Sequence, residues 1–338
     1  MLALVYQGQM DVRAQEAPEP GPRPGHALLR PTLCGICGTD TGIYLGTHPR
    51  AAAPLILGHE FFGTVTASER LAPGTRAAVY PLLSCGNCLA CRTGNEHVCN
   101  SLRLLGIDAP GGLAGLVAAP EASLYEIPDA TSDAAAALIE PLAVVIHAVR
   151  RSGWRPCDSA VVLGAGPIGV VTGILLRHLG ADEVIVTDLS DKRLERAAAF
   201  GLTGVNPARE EVPERVRAST DGEGADVVFE CSGAEQSILE ATAAARVLGT
   251  VCVTAVHKTP HKVDLQALDF KEQLLVGSRV YTREDFAKAV TLSSRLDAQL
   301  KACVTDVVPL TQAAKVFDMI ADPGQGTVKV AVDCTDGR

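Results

Sequence analysis

The chain has 338 residues, enough for about two domains and a sizeable core. Hydrophobic residues make up 47% and charged residues 20%, which excludes a disordered chain. The net charge is −9 and Lys and Arg are scattered, so there is no electrostatic footprint for nucleic acid or an anionic membrane.

The segment Met1 to Asp11 lacks a basic stretch followed by an apolar core, so no signal peptide is expected and the location expected is cytoplasmic. Eleven cysteines in such a chain point to thiols and metal ligands rather than a disulfide framework. Leu2 to Tyr6 and Ala27 to Arg30 are strand-like, and Glu16 to Gly25 is a connector rich in Pro and Gly. Phe61 to Thr66 and Arg76 to Tyr80 are further short strands. The first 150 residues therefore read as mostly β.

Within them lie Cys37-Gly38-Thr39-Asp40 and, later, Gly58-His59-Glu60. Thiolate, imidazole and carboxylate are the usual ligands of a catalytic zinc, although a buried Cys and a surface His–Glu pair have the same composition. Thr39 is two residues from Cys37, so an extended segment would put its hydroxyl on the same face. Four more thiols, Cys85, Cys88, Cys91 and Cys99, follow at spacings of three, three and eight. Thiolates that close on tight turns suit a closed tetrahedral zinc site, with an iron–sulfur cluster as the alternative.

Ser132 to Arg151 has helical composition broken by Pro141, with Glu140 in an apolar setting. A carboxylate there is either on an exposed face or buried against a cation or metal. Val161 to Leu176 is the longest nearly apolar run, sixteen residues with four glycines, too short and too Gly-rich to span a membrane. It contains Gly164-Ala165-Gly166-Pro167-Ile168-Gly169 between a strand and a helix, and Asp188 ends the next strand nineteen residues later. That context makes the glycine pattern a dinucleotide-binding fingerprint, with the helix N-terminus facing the pyrophosphate. Strands at Val227 to Glu230, Thr250 to Ala255 and Leu274 to Gly277, and helices at Val212 to Thr220 and Ala234 to Leu248, continue a doubly wound parallel sheet. Arg283 to Leu300 reads as one helix leaving the sheet, and Val328 to Val332 as a strand returning to the first domain.

These residues together resemble the zinc-dependent medium-chain dehydrogenase/reductase family over essentially the whole chain. Gly35-Ile36-Cys37-Gly38-Thr39-Asp40, Gly58-His59-Glu60, the four later cysteines, Glu140-Pro141-Leu142 and the glycine turn carry the likeness. The polyol branch, with its sorbitol and butanediol dehydrogenases and the related threonine dehydrogenases, looks closest. Val276 to Phe286 also looks like the butanediol enzymes.

The resemblance implies an α/β fold, a Rossmann doubly wound parallel sheet plus a mostly β GroES-like catalytic domain. Residues 1–150 would form the catalytic domain with a structural zinc lobe at 85–99, residues 151–284 the dinucleotide domain, and residues 285–338 a return to the catalytic domain. It implies NAD and two zinc ions per chain, one catalytic and one structural. Cys37 and His59 would bind the catalytic zinc, Glu60 and Glu140 would bind it directly or through water, and Thr39 would pass the substrate proton. Gly164, Gly166, Pro167, Ile168 and Gly169 would hold the dinucleotide phosphates, Asp188 the adenosine ribose, and Arg193 would lie near the adenine. The implied reaction oxidises a secondary alcohol of a polyol, sugar alcohol or vicinal diol to a ketone. Alternatives are an L-threonine 3-dehydrogenase type of amino-alcohol oxidation and a non-catalytic zinc- and nucleotide-binding protein. A homodimer or homotetramer is the expected assembly. Many relatives carry a proton-relay His where this chain has Gly42, which leaves His48, Tyr44 or a water chain to take that part.

Overall fold

The computed structural model describes residues 1–321 and 326–337. The chain divides into two compact units. The first comprises Met1–Glu140, Thr282–Asp322 and Lys329–Arg338, and the second Pro141–Tyr281 and Pro323–Val328.

In the first unit, β1 (Leu2–Gly8) pairs with β2 (Asp11–Glu16) and β4 (Leu55–Ile56). The hairpin closes with β2, a strand not expected from the alternation, because Met10 adopts a left-handed φ of 59° and turns the chain back at once. A second, seven-stranded sheet has the order β10-β6-β5-β3-β18-β17, with β9 also paired to β3. Its strands are β3 (His26–Gly35), β5 (Glu60–Ala67), β6 (Arg76–Val79), β9 (Val117–Pro120), β10 (Leu124–Glu126), β17 (Val304–Pro309) and β18 (Lys329–Asp333). Two short strands, β7 (Leu82–Leu83) and β8 (Arg103–Leu104), pair with each other. Leu29, Phe61, Phe62 and Val65 are buried along the long β3–β5 pair. The short helices of this region are α1 (Gly38–Tyr44), α2 (Leu89–Arg92) and α3 (Asp133–Ala136).

Helix α4 (Ile139–Ser152) runs through Pro141. The proline lies in the first turn, where the backbone N–H has no intrahelical acceptor to lose. The division between units therefore falls at the start of this helix and not at residue 150.

The second unit is a six-stranded parallel sheet of order β13-β12-β11-β14-β15-β16. The strands are β11 (Ala160–Leu163), β12 (Val184–Thr187), β13 (Thr203–Val205), β14 (Ala225–Glu230), β15 (Ala245–Val253) and β16 (Leu274–Gly277). Between them run α5 (Pro167–His178), α6 (Asp191–Ala198), α7 (Val212–Ser219), α8 (Glu235–Ala244) and α9 (Leu265–Phe270). The inner strands are apolar runs, as a sheet covered on both faces requires. Val161, Leu163, Ile185, Val228 and Val251 form one core with Val212, Val216, Ile238 and Ala241 of the flanking helices.

Two helix boundaries differ from expectation. Helix α8 stops at Ala244, short of Leu248, because the side chains of Lys271 and Gln273 take up the carbonyls of Thr242 and Ala245. With its last carbonyls satisfied from outside, the helix ends and the chain enters β15. The segment after Thr282 is two helices, α10 (Arg283–Ser293) and α11 (Asp297–Cys303), joined by a turn, and Asp297 at the start of the second accepts the backbone N–H of Ser132 at 2.7 Å. No helix among the described residues is long and apolar enough to cross a membrane.

Candidate active site

Strand register builds the first cluster. In the antiparallel β3–β5 pair Gly35 lies opposite Glu60 and Cys34 opposite Phe61. Cys37, just past β3, is thereby brought to His59 and Glu60 at the start of β5. Their ligand atoms all lie within 4.8 Å of one another. Gly58 permits the approach: its φ is 96°, and a Cβ there would meet Cys34 Sγ at 2.6 Å and Leu113 Cγ at 2.7 Å.

Thr39 sits in α1, not on an extended segment, because Cys37 is the N-cap of that helix. The helical turn still places Thr39 Oγ1 3.6 Å from Cys37 Sγ. Asp40 fixes the cap by accepting the Cys37 N–H at 2.9 Å. Its other oxygen, Oδ1, is 3.7 Å from His59 Nδ1. This is longer than a hydrogen bond, but the facing carboxylate favours a hydrogen on Nδ1 and leaves the opposite nitrogen for a metal. Asp40 is fully buried, and the motif contained it without revealing that role.

Glu60 is held by a residue with no sequence signal. Lys329, the first residue of β18, forms an ion pair with Glu60 Oε2, and both side chains are 2% exposed. The β18–β3 register, Ala331 opposite Gly35, brings Lys329 there. Gly35 leaves the room, since a Cβ at that position would run into Lys329 Cε at 2.8 Å. Burial works against the Lys329 charge, but Glu60 and Cys37 outweigh it and its pKa is raised. Burial likewise opposes the His59 charge, yet Asp40, Cys37 and Glu140 raise its pKa well above the ordinary value. Glu140, in the first turn of α4, is buried and acts on His59 and Lys329 by its charge, but lies outside the group of three mutually close ligand atoms.

A buried cluster with one thiol, one imidazole and surplus carboxylates suits a cation. The donor set fits zinc in a site open on one side.

The four cysteines Cys85, Cys88, Cys91 and Cys99 also converge, with all Sγ atoms within 4.8 Å and none in a disulfide. Backbone N–H groups of Asn87 and Cys88 hold the Cys85 thiol down, and those of Asn100 and Cys91 bring Cys88 to about 6. Desolvation, then the bond with Cys88, pushes Cys91 up to about 11. Four thiolates this close cannot all ionise beside one another without a cation, so this set too fits zinc. Arg283 ties the lobe to α10, meeting Glu96 at 2.6 Å and lying over the Tyr80 ring at 4.5 Å.

In the second unit, Gly164 follows β11 with φ 108°, and Gly166 is the N-cap of α5 with Pro167 and Ile168 as the next residues. A Cβ at Gly164 would sit 3.1 Å from the Ser232 backbone, and one at Gly169 would strike the Gly164 carbonyl. Gly166 faces open space, as a phosphate cradle at a helix N-terminus requires. Asp188 follows β12. Its Oδ2 accepts the Ala165 N–H at 3.0 Å, its Oδ1 the Ser190 N–H at 2.9 Å, and Arg193 Nη1 lies 3.6 Å away.

Two groups considered for the relay at Gly42 have the following surroundings. His48 Nδ1 accepts the N–H of Arg50 at 3.3 Å and of Ala51 at 3.1 Å, and burial and then Arg50 lower its pKa. Tyr44 stacks on Phe317, with ring centroids 4.5 Å apart.

The chain matches two family descriptions. Residues 23–129 match the alcohol dehydrogenase GroES-like domain and residues 167–295 the zinc-binding dehydrogenase. It is 35% identical to 2-dehydro-3-deoxy-L-galactonate 5-dehydrogenase of Pseudoalteromonas atlantica, over 99% of each chain. It is 32% identical to the sorbitol dehydrogenase of Homo sapiens, over 94% of this chain and 92% of that one. Among solved structures, a zinc-binding dehydrogenase from Sinorhizobium meliloti bound to NADP is 30% identical, with a TM-score of 0.92 over 98% of each chain.

The Lys329–Glu60 pair yields a stability prediction. Lys329→Met leaves a buried carboxylate without its cation and is expected to lower unfolding stability by about 3–5 kcal/mol in urea titration. The double variant with Glu60→Gln is expected to recover most of that loss. A single variant as stable as wild type would show that the pair does not hold Glu60.

Proposed function

Because the chain belongs to the zinc-dependent medium-chain dehydrogenases, in their polyol branch, and is an enzyme oxidising a secondary alcohol, we propose that its substrate carries two adjacent oxygens. A sugar alcohol, a vicinal diol and a sugar acid all fit. The carrying observation is the cluster of Cys37, His59 and Glu60 within 4.8 Å, with Glu140 close enough to raise His59.

Bound at that cluster, zinc supplies Lewis-acid polarisation of a hydroxyl oxygen, so that its proton leaves near neutral pH. Asp40 orients His59 through Nδ1. The Cys37 N-cap holds the thiol beside Thr39, whose hydroxyl would take the departing proton by hydrogen bond while passing its own on to solvent water. Lys329 holds Glu60 in place by charge. Gly164, Gly166, Pro167, Ile168 and Gly169 would hold the dinucleotide phosphates, Asp188 the ribose, and Arg193 would lie near the adenine. NAD supplies the hydride acceptor.

Carboxylates near the metal make the site rich in hard oxygen donors. They can accept hydrogen bonds from the hydroxyl that does not react. A monohydric alcohol has no second hydroxyl to donate such a bond, and a hydrogen bond to a charged group contributes about 1.5–3 kcal/mol, or about ten- to 150-fold in rate. The test compares 2,3-butanediol, sorbitol, xylitol, inositol and galactonate with ethanol, 2-butanol and threonine, following NADH absorbance. Polyols or sugar acids are expected to give the higher kcat/KM. A lead for ethanol or 2-butanol retires the diol reading, and a lead for threonine replaces it with the amino-alcohol one.

For the cofactor we expect NAD over NADP, since the Asp188 charge repels a 2′-phosphate. The Sinorhizobium meliloti enzyme with NADP is the opposing precedent, and Arg193 beside Asp188 is the cation that could receive that phosphate. Equal kcat/KM with both cofactors would count against NAD. So would an Asp188→Ala variant with unchanged use of NADP.

Two zincs per chain with separate tasks are the expected metal content. Cys37→Ser is expected to abolish turnover and keep the fold, whereas Cys91→Ser destabilises the lobe around residues 85–99, because a closed site contributes folding free energy directly. About one zinc per fully active chain, by elemental analysis, would overturn this count.

The sheet edge at β16 bears exposed Leu274 and Leu275, and α9, just before it in the chain, bears exposed Leu265 and Phe270. An unpaired apolar edge of this kind supports a second copy of the chain pairing along it. Sedimentation of a 35.2 kDa species alone would exclude that dimer.

A further inference from the structure

The strand order of the parallel sheet reverses between β11 and β14, and the crevice for a dinucleotide opens at the carboxyl ends of those two strands. One wall is the Gly164 turn. The other is the turn Cys231-Ser232-Gly233-Ala234 after β14, whose Ser232 backbone would lie only 3.1 Å from a Cβ at Gly164. What holds this second turn is Glu230, the fully buried last residue of β14. Its Oε1 accepts the N–H of Ser232 at 2.9 Å, the Ser232 hydroxyl at 2.7 Å, the N–H of Gly233 at 2.9 Å and the Ser237 hydroxyl at 3.1 Å.

The other oxygen, Oε2, meets His257 Nε2 at 2.9 Å. A carboxylate only accepts, so Nε2 carries the hydrogen. His257 lies in the loop after β15, and that loop is stitched to the same residue: Thr254 and Ala255 donate their N–H groups to the Glu230 carbonyl at 2.9 and 3.0 Å. The ring is also braced, edge-on, by His261 with centroids 5.1 Å apart.

We propose that His257 is a positioning residue for the dinucleotide crevice: by holding one oxygen of Glu230 it aims the other at the Ser232–Gly233 turn, and so keeps the wall facing Gly164 in place. A carboxylate bonded on one oxygen only can turn about its last bond or draw in water. Either response takes the shared acceptor away from two backbone amides and two hydroxyls at once. The loss falls on the cofactor and not on the alcohol, since Glu230 holds the turn and Ser237 in the first turn of α8. This rests on the dinucleotide reading above.

The test is NADH binding, titrated by fluorescence on the full-length zinc-loaded protein. His257→Phe keeps the ring and its packing but removes the donor; His257→Gln restores an N–H. The Phe variant is expected to bind NADH about tenfold more weakly, the loss of one buried hydrogen bond to a charged group. The Gln variant is expected within about threefold of wild type, a part of that same bond energy. The KM for NAD should rise in step for the Phe variant while the KM for the alcohol stays put. NADH binding by the Phe variant as tight as wild type overturns the proposal. So does equal weakening in both variants, or an equal rise in the alcohol KM. Wild type that binds no dinucleotide overturns the dinucleotide reading and this inference together, which separates that failure from the others.

Discussion

A buried Lys–Glu pair at the meeting of three strands governs the catalytic half of this protein. Glu60 and Lys329 are nearly inaccessible, and each carries a charge that the interior alone would not tolerate. The pairing works only if β5, β3 and β18 keep their registers. A slip of one residue would turn Lys329 to the other face and leave Glu60 unpaired. The same registers deliver Cys37 beside His59, so the demand for charge neutrality and the clustering of these donor atoms are met by a single ladder.

Room is the second requirement. Gly35 and Gly58 lie where any side chain would collide with Lys329 or with Cys34 and Leu113. Backbone is thus brought close at the expense of side-chain volume, and polar atoms fill what remains. Asp40 shows the economy of this arrangement. One of its oxygens caps α1 through the Cys37 N–H, and the other faces His59. The cap of α1 and the carboxylate facing the imidazole are here the same side chain.

The second unit solves a comparable problem with neutral backbone. Gly164 and Gly169 admit close approach of the turn to Ser232 and of the helix to the Gly164 carbonyl, while Gly166 faces open space at the N-terminus of α5. An anion there would be held by oriented N–H groups rather than by a buried cation. Asp188 and Glu230, at the ends of β12 and β14, both spend carboxylate oxygens on backbone N–H groups. Carboxylates at the strand ends therefore shape the loops of this edge.

Much was settled by local sequence. Four cysteines within fifteen residues, or glycines between a strand and a helix, are required by ligand geometry and by close backbone approach, and such requirements act over a few residues. The parallel sheet was legible for the same reason, since buried strands read as continuous apolar runs. Elements ruled by distant partners were not. Helix α8 ends where Lys271 and Gln273 reach its carbonyls, and Pro141 is tolerated because it falls in the first turn of α4. Lys329 against Glu60, Asp40 against His59 and His257 against Glu230 each join strands or loops through register and packing. A lone Lys or His has no periodicity of its own. Only the tertiary structure decides whether it meets a buried carboxylate, because that meeting depends on which strands lie side by side.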